Sequence, residues 1–248
     1  MTIHQSVIAA LTTAAALWSQ EPCSDRVQSL ERQVAAQNRV MRDWGGLIRY
    51  GSDDSELPPP AAGEDRVVFL GDQITEFWTR TDPNFFAQKS RLNRGIAGQT
   101  TDQMLIRFRQ DVIDLHPKAV VILAGLNDIA GLHGTATEEM IVDNLMSMSE
   151  LARANGIRVV LASVTPVCDC FTNGTARRRW QERIGEVNEL IAKYCARSGA
   201  TFLNYFRALA DDDNLKKQFT TDGVLPNDAG YRVMAQLAEK SVAEALAR

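Results

Sequence analysis

Two hydrophobic periodicities alternate along the chain. Short apolar runs at 66–70, 119–124, 158–163 and 201–203 have the length and β-branched content of buried strands, and 91–94 is expected to be a further strand of the same series. Between and after them lie stretches whose apolar residues recur every three to four positions, at 101–114, 137–155, 176–198 and 227–247, and these predict helices. Shorter helical turns are expected near 83–89 and 205–217. Strand followed by helix, repeated, predicts a parallel five-stranded sheet with right-handed crossovers and helices on both faces, a three-layer α/β/α sandwich. Ligands of such sheets sit beyond the carboxyl ends of the strands, so the loops after each strand are where chemistry is to be sought.

The pattern changes upstream of residue 66. Val27, Leu30, Val34, Met41, Trp44, Leu47 and Ile48 recur near helical spacing across 24–50, with Ser24 and Asp25 able to cap the start, which predicts an accessory helix. Residues 51–65, GSDDSELPPPAAGED, combine glycine, acidic residues and three consecutive prolines and predict an extended, non-helical linker. The expected organisation is therefore a helical extension over 1–50, a linker over 51–65 and an α/β domain over 66–248. Within the extension, 6–18 is apolar for about the length of a signal-peptide core, yet no Lys or Arg precedes it, and it is too short for a membrane span. Its alternatives are a signal-peptide remnant of a secreted or periplasmic protein and an amphipathic helix; a cytoplasmic location stays open.

Composition narrows the function classes. With 248 residues, 45% hydrophobic and 23% charged, the chain is an ordinary globular one able to bury a large core. A formal net charge of -4 argues against general affinity for nucleic acid or anionic membranes, which rests on clustered basic residues. The one basic run, Arg177-Arg178-Arg179, reads as a solvated helix face. Four cysteines, Cys23, Cys168, Cys170 and Cys195, are too few and too irregularly spaced for a disulfide framework, and the lone C-x-C is a weak zinc signal. No phosphate loop, heme motif or metal-ligand cluster is present, so no cofactor and no metal is implied.

Four segments rich in Gly, Asp and Asn follow the strands or close the last loop: 71–75 (GDQIT), 95–100 (GIAGQT), 124–128 (AGLND) and 222–227 (DGVLPN). Such residues make tight turns and expose backbone N–H groups, and four of them on one rim would suit an oxyanion site. In order and spacing they resemble the four blocks of the SGNH hydrolase family, the GDSL-type lipases and esterases, with LNDIAG and PNDAGY most similar to its bacterial esterase branch. The resemblance covers roughly 66–248. It implies a flavodoxin-like fold, a small-molecule acyl ester or acylated carbohydrate as substrate, and no stable membrane insertion.

Carried over by position, the resemblance gives Gln73 the nucleophile's place, Gly98 and Asn127 the oxyanion donors' places, Asp222 that of the acid orienting the base, and Leu225 that of the base. The family has serine at the first of these positions and histidine at the last. A carboxamide has no proton to lose near neutral pH and an alkyl chain no lone pair to accept one, so neither Gln73 nor Leu225 can take part in proton transfer. Among the histidines, His4 lies in the extension, His116 precedes the third strand on the wrong edge, and His133 follows the third block in a loop. Asp222 is a candidate base for a water molecule, its alternative being a carboxylate that accepts backbone N–H bonds and holds the final loop. Cys168 is a candidate thiol nucleophile with no histidine evident to activate it, its alternative being packing.

Three functions compete on these grounds: an ester-hydrolase scaffold whose hydrolytic dyad is absent, a non-catalytic binding module for an acylated sugar or lipid, and an altered hydrolase using Asp222 with the Gly98 and Asn127 donors. Two replacements on the two proton-transfer positions, with flanking residues intact, fit a redesigned variant as well as a natural pseudoenzyme.

Overall fold

A computed structural model describes residues 23–88, 90–171 and 175–248. The chain divides into two compact units, one ending at Arg42 and the other running from Asp43 to Arg248. Within the described residues the first unit is a single helix, α1 (Cys23–Arg42).

The second unit begins at Asp43, where α1 stops, short of the end at residue 50 predicted for the accessory helix. Asp43 turns the chain, its two carboxylate oxygens accepting the N–H groups of Leu47 and Ile48 at 2.7 and 3.0 Å. Residues 43–50 are bound into the domain: the carbonyls of Trp44, Gly45 and Leu47 accept from the side chains of Gln103, Gln99 and Gln110. The expected extended linker is helical in its first part, α2 (Gly51–Glu56). The three prolines begin only at position 58, past the last helical residue, so they end the helix without forbidding it. Asp53 and Asp54 in its first turn favour the helix dipole, and Asp54 is further held by Arg94.

The sheet follows. Strands β1 (Val67–Gly71), β2 (Arg91–Gly95), β3 (Ala119–Leu123), β4 (Arg158–Ala162) and β5 (Thr201–Leu203) are parallel and lie in the order β2-β1-β3-β4-β5. The five expected strands all form, with ends shifted by at most one residue. β1 and β3 are buried along their whole length, as unbroken apolar runs in the middle of a doubly covered sheet must be. Between β1 and β2 run α3 (Gln73–Thr81) and the single turn α4 (Pro83–Phe86); after β2 comes α5 (Thr101–Asp111). The short α6 (Leu126–Ile129) and then α7 (Glu138–Ala154) follow β3, and α8 (Thr175–Ser198) follows β4. After β5 the chain makes α9 (Tyr205–Leu209), a two-residue hairpin pair β6 (Ala210–Asp211) and β7 (Asn214–Leu215), and the long α10 (Asp228–Leu246). Helices α3 and α10 pack together on the sheet, and α5, α7 and α8 form the other layer.

Close packing at the head of β1 fixes the position of α3. A side chain at Gly95 would meet the Glu76 backbone nitrogen at 2.2 Å, and one at Gly71 would meet Leu123 O at 2.7 Å and Thr75 Oγ1 at 2.1 Å. Only glycine lets the first turn of α3 lie directly on the carboxyl ends of β1 and β2. Phe69, Trp78, Phe85, Phe86 and Tyr231 then form one aromatic cluster, Trp78 stacked on Phe85 at 4.5 Å and on Tyr231 at 5.4 Å. Tyr231 on α10 also donates to the Ile74 carbonyl at 2.8 Å, so the last helix is latched to the first turn of α3. No helix among the described residues is long and apolar enough to cross a membrane.

Candidate functional site

Strand register brings three loops to one place. Gly71 at the end of β1 is paired with Gly95 of β2 on one side and Leu123 of β3 on the other, so the chain leaves all three strands at the same level. This is also where strand order reverses direction, the crevice in which open α/β sheets hold ligands.

Each loop is then pinned. After β1, the Asp72 carboxylate accepts the Ile74 N–H at 2.9 Å and caps α3, whose first residue is Gln73. After β2, Glu76 on α3 accepts the Ala97 N–H at 2.7 Å, and Gly98, at a left-handed φ of 81°, donates its N–H to Gln73. After β3, Gly125 at φ 115° starts α6, which carries Asn127 and Asp128. Asp128 accepts from the Thr101 N–H and hydroxyl, joining α6 to the start of α5. Beneath all of this lies Arg107, fully buried, which donates to Gln99 Oε1, Asp111 and the carbonyls of Gly71 and Arg94. One guanidinium thus ties the ends of β1 and β2 to the loop that carries Gly98.

The Gln73 carboxamide is the centre of the result. Its Oε1 accepts from the Gly98 N–H at 3.0 Å and from Asn127 Nδ2 at 2.8 Å, while its own Nε2 donates to Asn127 Oδ1 at 3.1 Å. Asn127 Nδ2 is steadied by the Gln99 carbonyl at 2.8 Å. Two donors converging on one oxygen at these distances is the geometry required to stabilise a developing oxyanion. Here the oxygen they hold belongs to the protein. Gln73 and Asn127 form a cyclic amide pair, so displacing the Gln73 side chain breaks three hydrogen bonds at once.

The other two sequence-assigned positions lie in the last loop. Asp222 is exposed, and its Oδ1 accepts the N–H groups of Val224 and Leu225, both at 2.8 Å, the turn-holding arrangement weighed above as the alternative to a base. Leu225 is half-buried and packs on the core. Tyr231, raised in pKa chiefly by burial, senses both the Asp72 and Asp222 charges, and its bond to Ile74 links this loop's helix to α3. The structure therefore joins Gln73, Gly98 and Asn127 by direct bonds and holds Asp222 with Leu225 in a separate turn of the last loop.

The remaining candidates are also located. His116 is exposed at the amino end of β3, opposite the rim. His133 is exposed on the wall of a cavity of about 320 Å³ that it shares with Thr100, Asp102 and Asn144. His4 lies outside the described residues. Cys168 is disulfide-bonded to Cys170, which removes it as a thiol nucleophile and corrects the reading of both as simple loop-lining thiols. Its N–H donates to the Gly223 carbonyl, so the C-x-C loop abuts the last block. Cys195 is buried, and burial pushes its thiol up to about 11, which leaves it protonated and unreactive. Among the described residues no group of three or more His, Cys, Asp or Glu is arranged to hold a metal.

Asp72 carries an electrostatic consequence in the acid-to-neutral range. It is completely buried, and burial, reinforced by the Asp128 charge and only partly opposed by the Ile74 N–H, pushes it from 3.8 up to about 7. Between these values the folded protein holds a proton that the unfolded chain has lost. Stability from this group is thus fully present below about pH 4, falls as pH rises toward 7, and is flat above. The span corresponds to as much as about 4 kcal/mol. Asp72→Asn retains an acceptor for Ile74 and is expected to flatten the decline in urea midpoint between pH 5 and pH 8. A variant with the unaltered pH slope would remove Asp72 as its source.

Comparison with known proteins gives a consistent result. A model of the GDSL-like lipase/acylhydrolase family matches residues 69–233. The chain is similar to a Bacteroides fragilis protein described as an acylhydrolase, at 38% identity and a TM-score of 0.77 over 82% of this chain and 98% of that one. It is also similar to a GDSL-like lipase of Bacteroides thetaiotaomicron, at 39% identity and 0.76 over 81% and 98%. A shorter stretch of 81 residues is 36% identical to an uncharacterized lipoprotein, YqeF, of Bacillus subtilis, covering 32% of this chain and 33% of that protein.

Proposed function

The chain belongs to the GDSL-like lipase/acylhydrolase family, and from that premise we propose that it is an acyl-ester hydrolase scaffold in which Gln73 replaces the nucleophile and occupies the oxyanion position. The observation that supports this reading is the pair of bonds from Gly98 and Asn127 to Gln73 Oε1. In this proposal Gln73 removes two functions together: it supplies no attacking atom, and its amide oxygen sits where an ester carbonyl oxygen would have to go. Leu225, at the base position, removes the third, because no lone pair there can accept the nucleophile's proton.

Serine proteases indicate the scale of the loss. Removing nucleophile or base costs on the order of a million-fold in turnover, and binding plus oxyanion donors retain about a thousand-fold over water. With the donors already satisfied internally, even that residue is reduced. The purified chain is expected to hydrolyse an activated acetate ester no faster than buffer at any pH from acid to alkaline. A rate well above buffer that disappears on Asp222→Asn would instead support the altered-hydrolase reading, in which Asp222 activates water. The two backbone bonds already accepted by Asp222 Oδ1 favour its turn-holding role over that reading.

Binding of an acylated sugar or lipid without turnover is the second reading. It requires the ligand's carbonyl oxygen to displace three hydrogen bonds or to bind beside them. For location we propose a secreted or envelope-associated protein, on the strength of the apolar stretch at 6–18 and of a partial relative named a lipoprotein.

A further inference from the structure

Helix α1 presents an apolar stripe that its own sequence makes self-complementary. Val27, Leu30, Val34 and Met41 are exposed by 47%, 52%, 53% and 79%, far more than the core-facing side of a packed helix allows. Their spacings are three, four and seven, so they fall on one line of a 3.5-residue repeat, with Val27, Val34 and Met41 in the a position and Leu30 in d. The sequence places Gln37 at the next d. Asp25, Gln28, Ser29 and Arg32 fill the outward positions, leaving the stripe as the single apolar line of this part of the helix.

We infer that α1 pairs with the α1 of a second copy of this chain as a short parallel two-stranded coiled coil. Valine at two of the three a positions, with leucine at the first d, favours two strands over three or four. The flanking charges select a copy of the same helix. Arg26 occupies g and Glu31, five residues on, occupies the following e; in a parallel dimer each g faces the next e of its partner, so Arg26 of either copy meets Glu31 of the other. The next such pair, Gln33 and Asn38, is neutral and polar, so no like charges face each other. A two-fold pair satisfies both Arg26–Glu31 contacts at once, the signature of an isologous interface. At 20 residues the helix is about 30 Å long, near the lower limit for a stable seam, so the association is concentration-dependent. The inference does not depend on the catalytic reading.

Sedimentation of the full 248-residue chain over a range of concentrations tests it. The mass of two chains is expected at high concentration. Leu30→Lys places a charge in the seam while keeping a strong helix former, and is expected to give the mass of one chain throughout with unchanged circular dichroism. Arg26→Glu is expected to weaken the dimer about tenfold, and Arg26→Glu combined with Glu31→Arg to restore it. A chain that stays monomeric, a dimer indifferent to Leu30→Lys, or a charge swap that fails to restore pairing would each overturn the proposal. So would a monomer that co-sediments with anionic vesicles, which would assign the stripe to a membrane surface.

Discussion

Gln73→Ser combined with Leu225→His is expected to raise hydrolysis of an activated acetate ester by on the order of a thousand-fold or more over the unaltered chain. The physical case rests on what is already built. Gly98 and Asn127 are aimed at a common point 3.0 and 2.8 Å away, and removing the carboxamide vacates that point without moving either donor, because each is fixed independently. The Gly98 turn is held by Glu76 through Ala97, and Asn127 is held by the Gln99 carbonyl. A serine at the first residue of α3 places its hydroxyl beside the vacated site. At 225 an imidazole takes the place of a half-buried side chain in a loop whose shape is set by Asp222. The single replacements are expected to stay near the buffer rate, since nucleophile and base act as a unit and are strongly non-additive. Initial rates for the two single variants and the double one decide the point. A double variant that folds with unaltered stability and yet gains nothing would mean that the last loop does not bring an imidazole to residue 73, and the proposed descent of function would fail with it.

Arg107→Ala is expected to lower folding stability by about 3–5 kcal/mol, the largest single loss among the side chains described. Arg107 and Asp111 are both 0% exposed and form an ion pair at 2.8 Å one helical turn apart. Truncating the arginine leaves a buried carboxylate without its cation and strips donors from Gln99, Gly71 and Arg94. Asp111 already has one oxygen unsatisfied by hydrogen bonds, so it has no alternative partner to fall back on. Replacing both members by apolar residues, Arg107→Met with Asp111→Leu, is expected to recover part of the loss; the donors that the guanidinium gave to Gln99 Oε1 and to the Gly71 and Arg94 carbonyls are still missing, which prevents full recovery. Urea denaturation of the single and paired variants measures the difference. An alanine variant within 1 kcal/mol of the unaltered chain would show that these loops are held by backbone packing alone.

Much of the scaffold was legible in the pattern of residues, and the misses are instructive. Continuous apolar runs marked β1, β3 and β4 because both faces of this sheet are covered, and the long helices announced themselves by periodicity. The prediction failed at short elements. α3 begins on the glutamine of a turn motif and α6 is a single turn, so neither has enough periods to register. The linker reading failed at α2 because proline was taken to govern residues that precede it. Arg107 passed unnoticed within a polar-looking segment, although its i,i+4 partner Asp111 was a readable hint of a paired charge.

By itself the sequence determined the family, the sheet, the turn-forming loops that follow β1, β2 and β3, and the presence of an amide and an alkyl group where the resemblance expects an attacking atom and a base. Those are matters of residue type and local spacing, which a linear chain records directly. Only the tertiary structure decided what the amide does there. Gln73 and Asn127 are 54 positions apart, and whether the carboxamide turns outward or completes a ring with Asn127 and the Gly98 N–H depends on three strands ending in register. Hydrogen bonding of that kind is selected by distance and direction in space, and no one-dimensional spacing encodes either.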